Sequence, residues 1–194
     1  MLTATYTLVA LSVEQKSLCA SLHSLLKVVH THFAEQTSLS EGRVDFACET
    51  LDRAVHSSHW SKVDTHLFPA IYDATDAADD LLQELKQLRL AAESQLADIE
   101  EQYAGRALGD AAEVAAFCAQ VDGVCLALVE RLEREEQALF PLARGVVTGE
   151  AWFAIANRML AHEAYVKENR PARRTPAVSA IARAAQVVHQ ASMI

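Results

Sequence analysis

Two short runs bring imidazole, carboxylate and cationic side chains close together in the chain. One is His59-Trp60-Ser61-Lys62-Val63-Asp64, which leads through Thr65 and His66 into Leu67-Phe68-Pro69. The other runs from Arg131 through Glu133, Glu135 and Glu136 into Leu139-Phe140-Pro141, 72 residues later. Imidazole and carboxylate groups bind metals and carry protons, whereas guanidinium is a permanent cation. In the second run the spacing is informative. Val114, Phe117, Val121, Val124, Leu128, Arg131, Glu135 and Ala138 recur at three and four residues, which is one face of a helix. That face is apolar until Arg131 and Glu135, and both are costly to bury without partners. Of the acidic members of this run only Glu135 falls on the seam; the others read as a solvated face. His56 and His59 stand three apart, a spacing able to chelate, although one outward and one inward ring is the simpler reading. His30 and His32 lie beside a polar turn and are expected in solvent, and His66 is expected to pack near a helix end.

These groups need long helices to position them. Helix A is expected over about Val13–Ala34, with Leu18, Leu22, Leu25, Val29 and Phe33 as its stripe. Helix B starts near Val44, places Ala47, Leu51, Val55 and His59 on one side, and ends or kinks at Pro69. Helix C follows the polar joint Asp73–Asp80 and carries Leu81, Leu85, Leu88, Ala92, Leu96, Ile99 and Tyr103. Ala104–Asp110, with two glycines, turns the chain into helix D. Thr148 can cap a shorter helix over Ala151–Val166.

The two chemistry-bearing runs are copies of one pattern. Both are helices that close on Leu-Phe-Pro, and the same 72-residue offset pairs helix A with helix C and matches His23 to Gln95. Two copies of a helical hairpin predict an all-α, antiparallel up-down four-helix bundle with pseudo-twofold halves, a fold that builds its sites between facing helices.

With these residues in view, the stretch from about Glu14 to Ala161 resembles the hemerythrin-like, or HHE cation-binding, family. The resemblance implies two irons between four helices, held by five histidines and two bridging carboxylates, and a role in binding oxygen or sensing oxygen and redox state. Carried over, His23 falls at the helix A ligand position, with Leu22 competing for it, and His59 at the helix B histidine. Val63 stands where that family has its bridging glutamate, with Asp64 ~100° further round the helix. Arg131 replaces the helix D histidine, and Glu135 keeps the second bridging carboxylate. Helix C has no histidine, and Gln95, Ala92, Leu96 and Ile99 occupy its central turns. An intact diiron centre is therefore not expected.

Two readings remain. His23, His59 and Glu135 would hold one iron or zinc ion with open positions, Arg131 standing in for the missing second cation. Alternatively no metal binds, Arg131 and Glu135 form a buried ion pair one turn apart, and His59 is a hydrogen-bonded core residue. The first implies a diverged sensor, the second a metal-free regulatory or interaction module. An enzyme is not evident.

Composition agrees with the helical reading. Hydrophobic residues make up 51%, yet aromatics only 6%, with 6 glycines and 4 prolines in 194 residues. The formal charge of −9 argues against nucleic acid and anionic lipid as partners. No run approaches the ~18 consecutive apolar residues of a membrane span, and Met1–Leu11 lacks the basic start of a signal peptide. Cys19, Cys48, Cys118 and Cys125 form no CxxC pair and read as buried, reduced thiols of a cytoplasmic protein. Residues 1–166 are expected to form the bundle. Residues 167–194 read as a basic linker (Lys167, Arg170, Arg173, Arg174) and a short amphipathic helix (Val178, Ile181, Ala185, Val188). That helix is the expected contact for a second copy or a protein partner.

Overall fold

The computed structural model describes residues 2–168, without the side chains of 162, 163 and 165–168. The tail expected to carry the linker and amphipathic helix lies outside the described residues. By contacts the chain divides into a unit Met1–Met159 and a second from Leu160 onward; the expected boundary at 166 lies beyond that division. Among the described residues every regular element is helical, apart from one isolated antiparallel bridge between Leu39 and Leu108.

The first helix, α1 (Leu2–Val28), starts eleven residues earlier than its stripe predicts and ends in a π turn, Val29–Phe33. The reason is local: residues 2–13 carry no charge and no breaker, and Ala4, Leu8 and Leu11 bury in the core. The second long helix is interrupted. It comprises α2 (Glu41–Val55), α3 (Ser58–Lys62), a π turn over Val63–Leu67 and α4 (Phe68–Tyr72). A 3₁₀ turn capped by Thr75 leads into α5 (Asp79–Tyr103). Gly105, at φ +72°, makes the turn that a side chain would strain. Asp110 then caps α6 (Ala111–Arg134), accepting from the Ala112 and Glu113 amides at 2.9 Å. A third π turn, Glu135–Leu139, precedes α7 (Phe140–Val146), and α8 (Gly149–Glu168) follows with Thr148 accepting from the Ala151 amide.

The π turns Val63–Leu67 and Glu135–Leu139 repeat at the same 72-residue offset as the sequence, and each leads into Phe-Pro. Proline lacks an N–H and its ring collides with the carbonyl four residues back. Widening the preceding turn, so that Phe68 bonds to Val63 and Phe140 to Glu135, relieves the collision. Of the two outcomes expected at Pro69, an end or a kink, the helix does not end: it passes through the widened turn and continues to Tyr72. The extra residue also moves the seam: Leu67 and Leu139 are fully buried, where straight spacing would place His66 and Ala138.

Helix α5 packs along α6 and α2, and α1 lies against α6 and α2. Two apolar clusters result. One joins Leu18–Phe33 of the first helix with α2, the far half of α5 and most of α6. The other joins Ala4, Leu8 and Leu11 with α4, Leu82, Leu85, Phe140 and the α8 anchors Trp152, Ile155 and Met159. Taken together, α6, the π turn and α7 (Ala111–Val146) are long and apolar enough to cross a membrane by length and composition. Their apolar side, however, is buried in these clusters, as befits a core helix.

Candidate functional site

Between the two clusters each long helix turns polar at the same level. Gln15, His59, Lys62, Arg131 and Glu135 are all buried there, and none belongs to either apolar cluster. The layer is a chain of charged contacts. Lys62 donates to Glu14, whose other oxygen faces His59 Nδ1 at 3.9 Å. His59 Nε2 and Glu135 Oε2 are 2.7 Å apart, and Arg131 Nε donates to Glu135 Oε1 at 3.0 Å. The same guanidinium donates to the Leu85 carbonyl at 3.1 Å and to Asp64. Asp64 also accepts from Arg89 at 2.8 Å, and Arg89 reaches Glu93 at 2.7 Å. Gln15 donates to the Leu132 carbonyl, tying the first helix to α6.

Packing fixes the geometry. The Arg131 carbon centre lies 4.7 Å from the Trp60 ring centroid and 5.9 Å from that of Phe68, so the cation is clasped by aromatic faces. Trp60 is locked in turn by its indole N–H on the Ala54 carbonyl at 2.7 Å, and its ring meets His59 edge-on at 5.1 Å. Glu135, accepting from Arg131, presents a carboxylate to Nε2, so that nitrogen carries the hydrogen. Burial works against an imidazolium at His59, but its hydrogen bond to Glu135 and the nearby Glu14 carboxylate outweigh it, and its pKa rises above the ordinary 6.5. Burial likewise opposes the Glu14 carboxylate, yet His59 and Lys62 hold its pKa below the ordinary value. With His59 protonated, these eight ionisable groups comprise four cations and four anions.

The predicted residues divide sharply. His59, Arg131 and Glu135 meet in the layer. His23 does not: it is exposed, turned back onto Cys19, whose carbonyl lies 3.0 Å from Nδ1, while Leu22 takes the inward place at 1% exposure. Gln95, its counterpart in the repeat, is exposed as well and lines a shallow cavity with Asp98, Gln102 and Gln120. Val63 is buried among apolar side chains. Asp64, expected to point away, reaches Arg131 instead; it lies within the π turn Val63–Leu67, and the arginine is long. Glu14, Lys62 and Arg89 are not singled out by their sequence setting; only the placement of charges level with Arg131 could have signalled them. His56 and His30 follow expectation: His56 is exposed on Asp52 at 2.9 Å, and His30 is exposed on Asp122 at 2.8 Å. Cys48, Cys118 and Cys125 are buried, and burial pushes the Cys48 and Cys125 thiols up to about 11 and about 12.

The layer does not fit a diiron centre. The donors left at its middle, His59 and Glu135, are bonded to each other, and the second oxygen of Glu135 is taken by Arg131. A metal ion would have to part them beside a fixed positive charge. Ala92, Leu96 and Ile99 offer only hydrocarbon from α5. Among the described residues no three His, Cys, Asp or Glu side chains gather as a metal ion requires. No protein-family model matches this chain, and no curated protein or solved structure matches it.

Proposed function

We propose that this chain is a hemerythrin-like, antiparallel four-helix bundle with pseudo-twofold halves in which an ion network takes the place of the metal centre. On this reading it acts in the cytoplasm as a metal-independent regulatory or interaction module. The observation that carries the proposal is Arg131. Its guanidinium is fully buried, clasped by Trp60, and bonded to the one carboxylate, Glu135, that the family resemblance assigns to metal. A permanent cation at that position supplies the charge a metal would bring, without an open coordination site and without redox chemistry. The repeated π turns at Val63 and Glu135 support the descent, since these are the two positions the resemblance gives to bridging carboxylates. The alternative, one iron or zinc ion on His23, His59 and Glu135, is disfavoured by the outward His23.

The test is metal content by plasma mass spectrometry on protein purified anaerobically without chelator, beside His59→Ala and Glu135→Ala. The expected result is substoichiometric metal that neither substitution changes, with a melting temperature indifferent to chelator, because structural metal couples to folding. Near-stoichiometric iron or zinc that falls in both variants would overturn the proposal.

A further inference from the structure

The first turns of α1 are apolar on two sides. Ala4, Leu8 and Leu11 face the core, while Leu2, Tyr6, Val9 and Val13 stand in solvent at 74%, 68%, 54% and 63% exposure. A helix that is hydrophobic all round is ordinarily buried all round. The exposed four are spaced four, three and four residues apart, the seam of a two-helix coiled contact. The next seam position is Lys16, which ends the apolar run.

We infer that this seam is a homodimer interface, in which α1 of one copy lies antiparallel against α1 of a second. Four observations favour a second copy as the occupant. The seam is self-complementary: with a twofold axis between residues 6 and 9, Leu2 meets the partner's Val13 and Tyr6 meets the partner's Val9, an isologous contact. Its charge also suits self-association. No ionisable acid or base other than the Tyr6 phenol occurs between residues 2 and 13. Two copies of an acidic chain, each carrying −9, can therefore approach there without facing like charges. Thr3, Thr5, Ala10 and Ser12 beside the seam are small enough for close approach. The area is sufficient as well. Four side chains this exposed leave on the order of 400–500 Å² per copy, and two such faces approach the ~1,000 Å² of a specific interface. A lipid surface is the poorer occupant, because interfacial helices carry Lys or Arg on a polar face, and this helix gives its opposite face to the core.

Sedimentation equilibrium on the full chain tests the inference, with Val9→Glu, Tyr6→Lys and the double variant beside the wild type. The wild type should be dimeric at micromolar concentration. Each single substitution acts twice across the axis and should weaken the dimer at least ~100-fold. In the double variant the introduced lysine of one copy faces the introduced glutamate of the other, and most of the loss should be regained in a salt-sensitive way. All positions are exposed, so far-UV circular dichroism should not change; should one single variant misfold, the other carries the test. A wild type that stays monomeric overturns the inference, and so does a dimer that both single variants leave intact. Single variants that dissociate without recovery in the double refute the antiparallel pairing.

Discussion

Replacing Arg131 with methionine asks directly what holds the polar layer. Methionine keeps much of the side-chain volume, so the cavity term is small and the effect is electrostatic. Lost are the donations to Glu135 at 3.0 Å, to the Leu85 carbonyl at 3.1 Å and to Asp64, together with the contact on Trp60. The larger consequence is at Glu135, which is 0% exposed and cannot turn to water. Removing one member of a buried ion pair costs ~3–5 kcal/mol, chiefly through the charge left behind. Here His59 remains at 2.7 Å from Glu135, so the lower end applies, ~3 kcal/mol. For a chain of this size that lowers the melting temperature by ~6–12 °C. Urea denaturation of Arg131→Met, Glu135→Gln and the double variant would measure it, with a coupling of ~1.5–3 kcal/mol between the sites. A loss below ~1 kcal/mol, or costs that simply add, would refute the claim that this pair organises the layer.

Stability should depend on pH on both sides of neutrality. His59 has a raised folded pKa, so its contribution is complete below the unfolded value of 6.5 and disappears as pH climbs through the folded value. Glu14 has a lowered one; its contribution is present above the unfolded value of 4.5 and disappears as pH falls through the folded value. Denaturation midpoints across pH should therefore peak between these limits, and His59→Gln should flatten the alkaline limb; an unchanged limb would show that His59 does not carry it. The inward residue of the first helix is tested separately. Leu22→Ala should cost ~3 kcal/mol or more and His23→Ala under ~0.5 kcal/mol, and the reverse order would place the wrong residue inside.

Much of the helical content and one half of the site are legible from spacing alone. The stripe Leu18, Leu22, Leu25, Val29 and Phe33 is buried throughout, and so is the helix D seam from Val114 to Glu135. A three-four period survives in any context because it follows from the pitch of the helix. Arg131 and Glu135 stand out for the same reason: a charge on an apolar seam must find a partner. The first turns of α1 escape such a reading because their hydrophobic residues surround the helix and give no clear period. The interruption after Val55 escapes it because no glycine or proline marks the break.

The helical class, the 72-residue repeat and a charged pair on the inner seam all follow from residue spacing. Which residues join that pair follows only from how the helices pack. The π turns before Phe-Pro shift each helix face by one residue, a backbone adjustment that no side-chain period records. The one over Val63–Leu67 buries Leu67 rather than His66 and contains Asp64, which reaches Arg131. Whether Leu22 or His23 faced inward depended on how the first helix rotates against α6 and α2, which neighbours fix and local spacing does not. Glu14, Lys62 and Arg89 became part of the site because a neighbouring helix brings an opposite charge to the level of each, a property of the assembled helices rather than of any one segment.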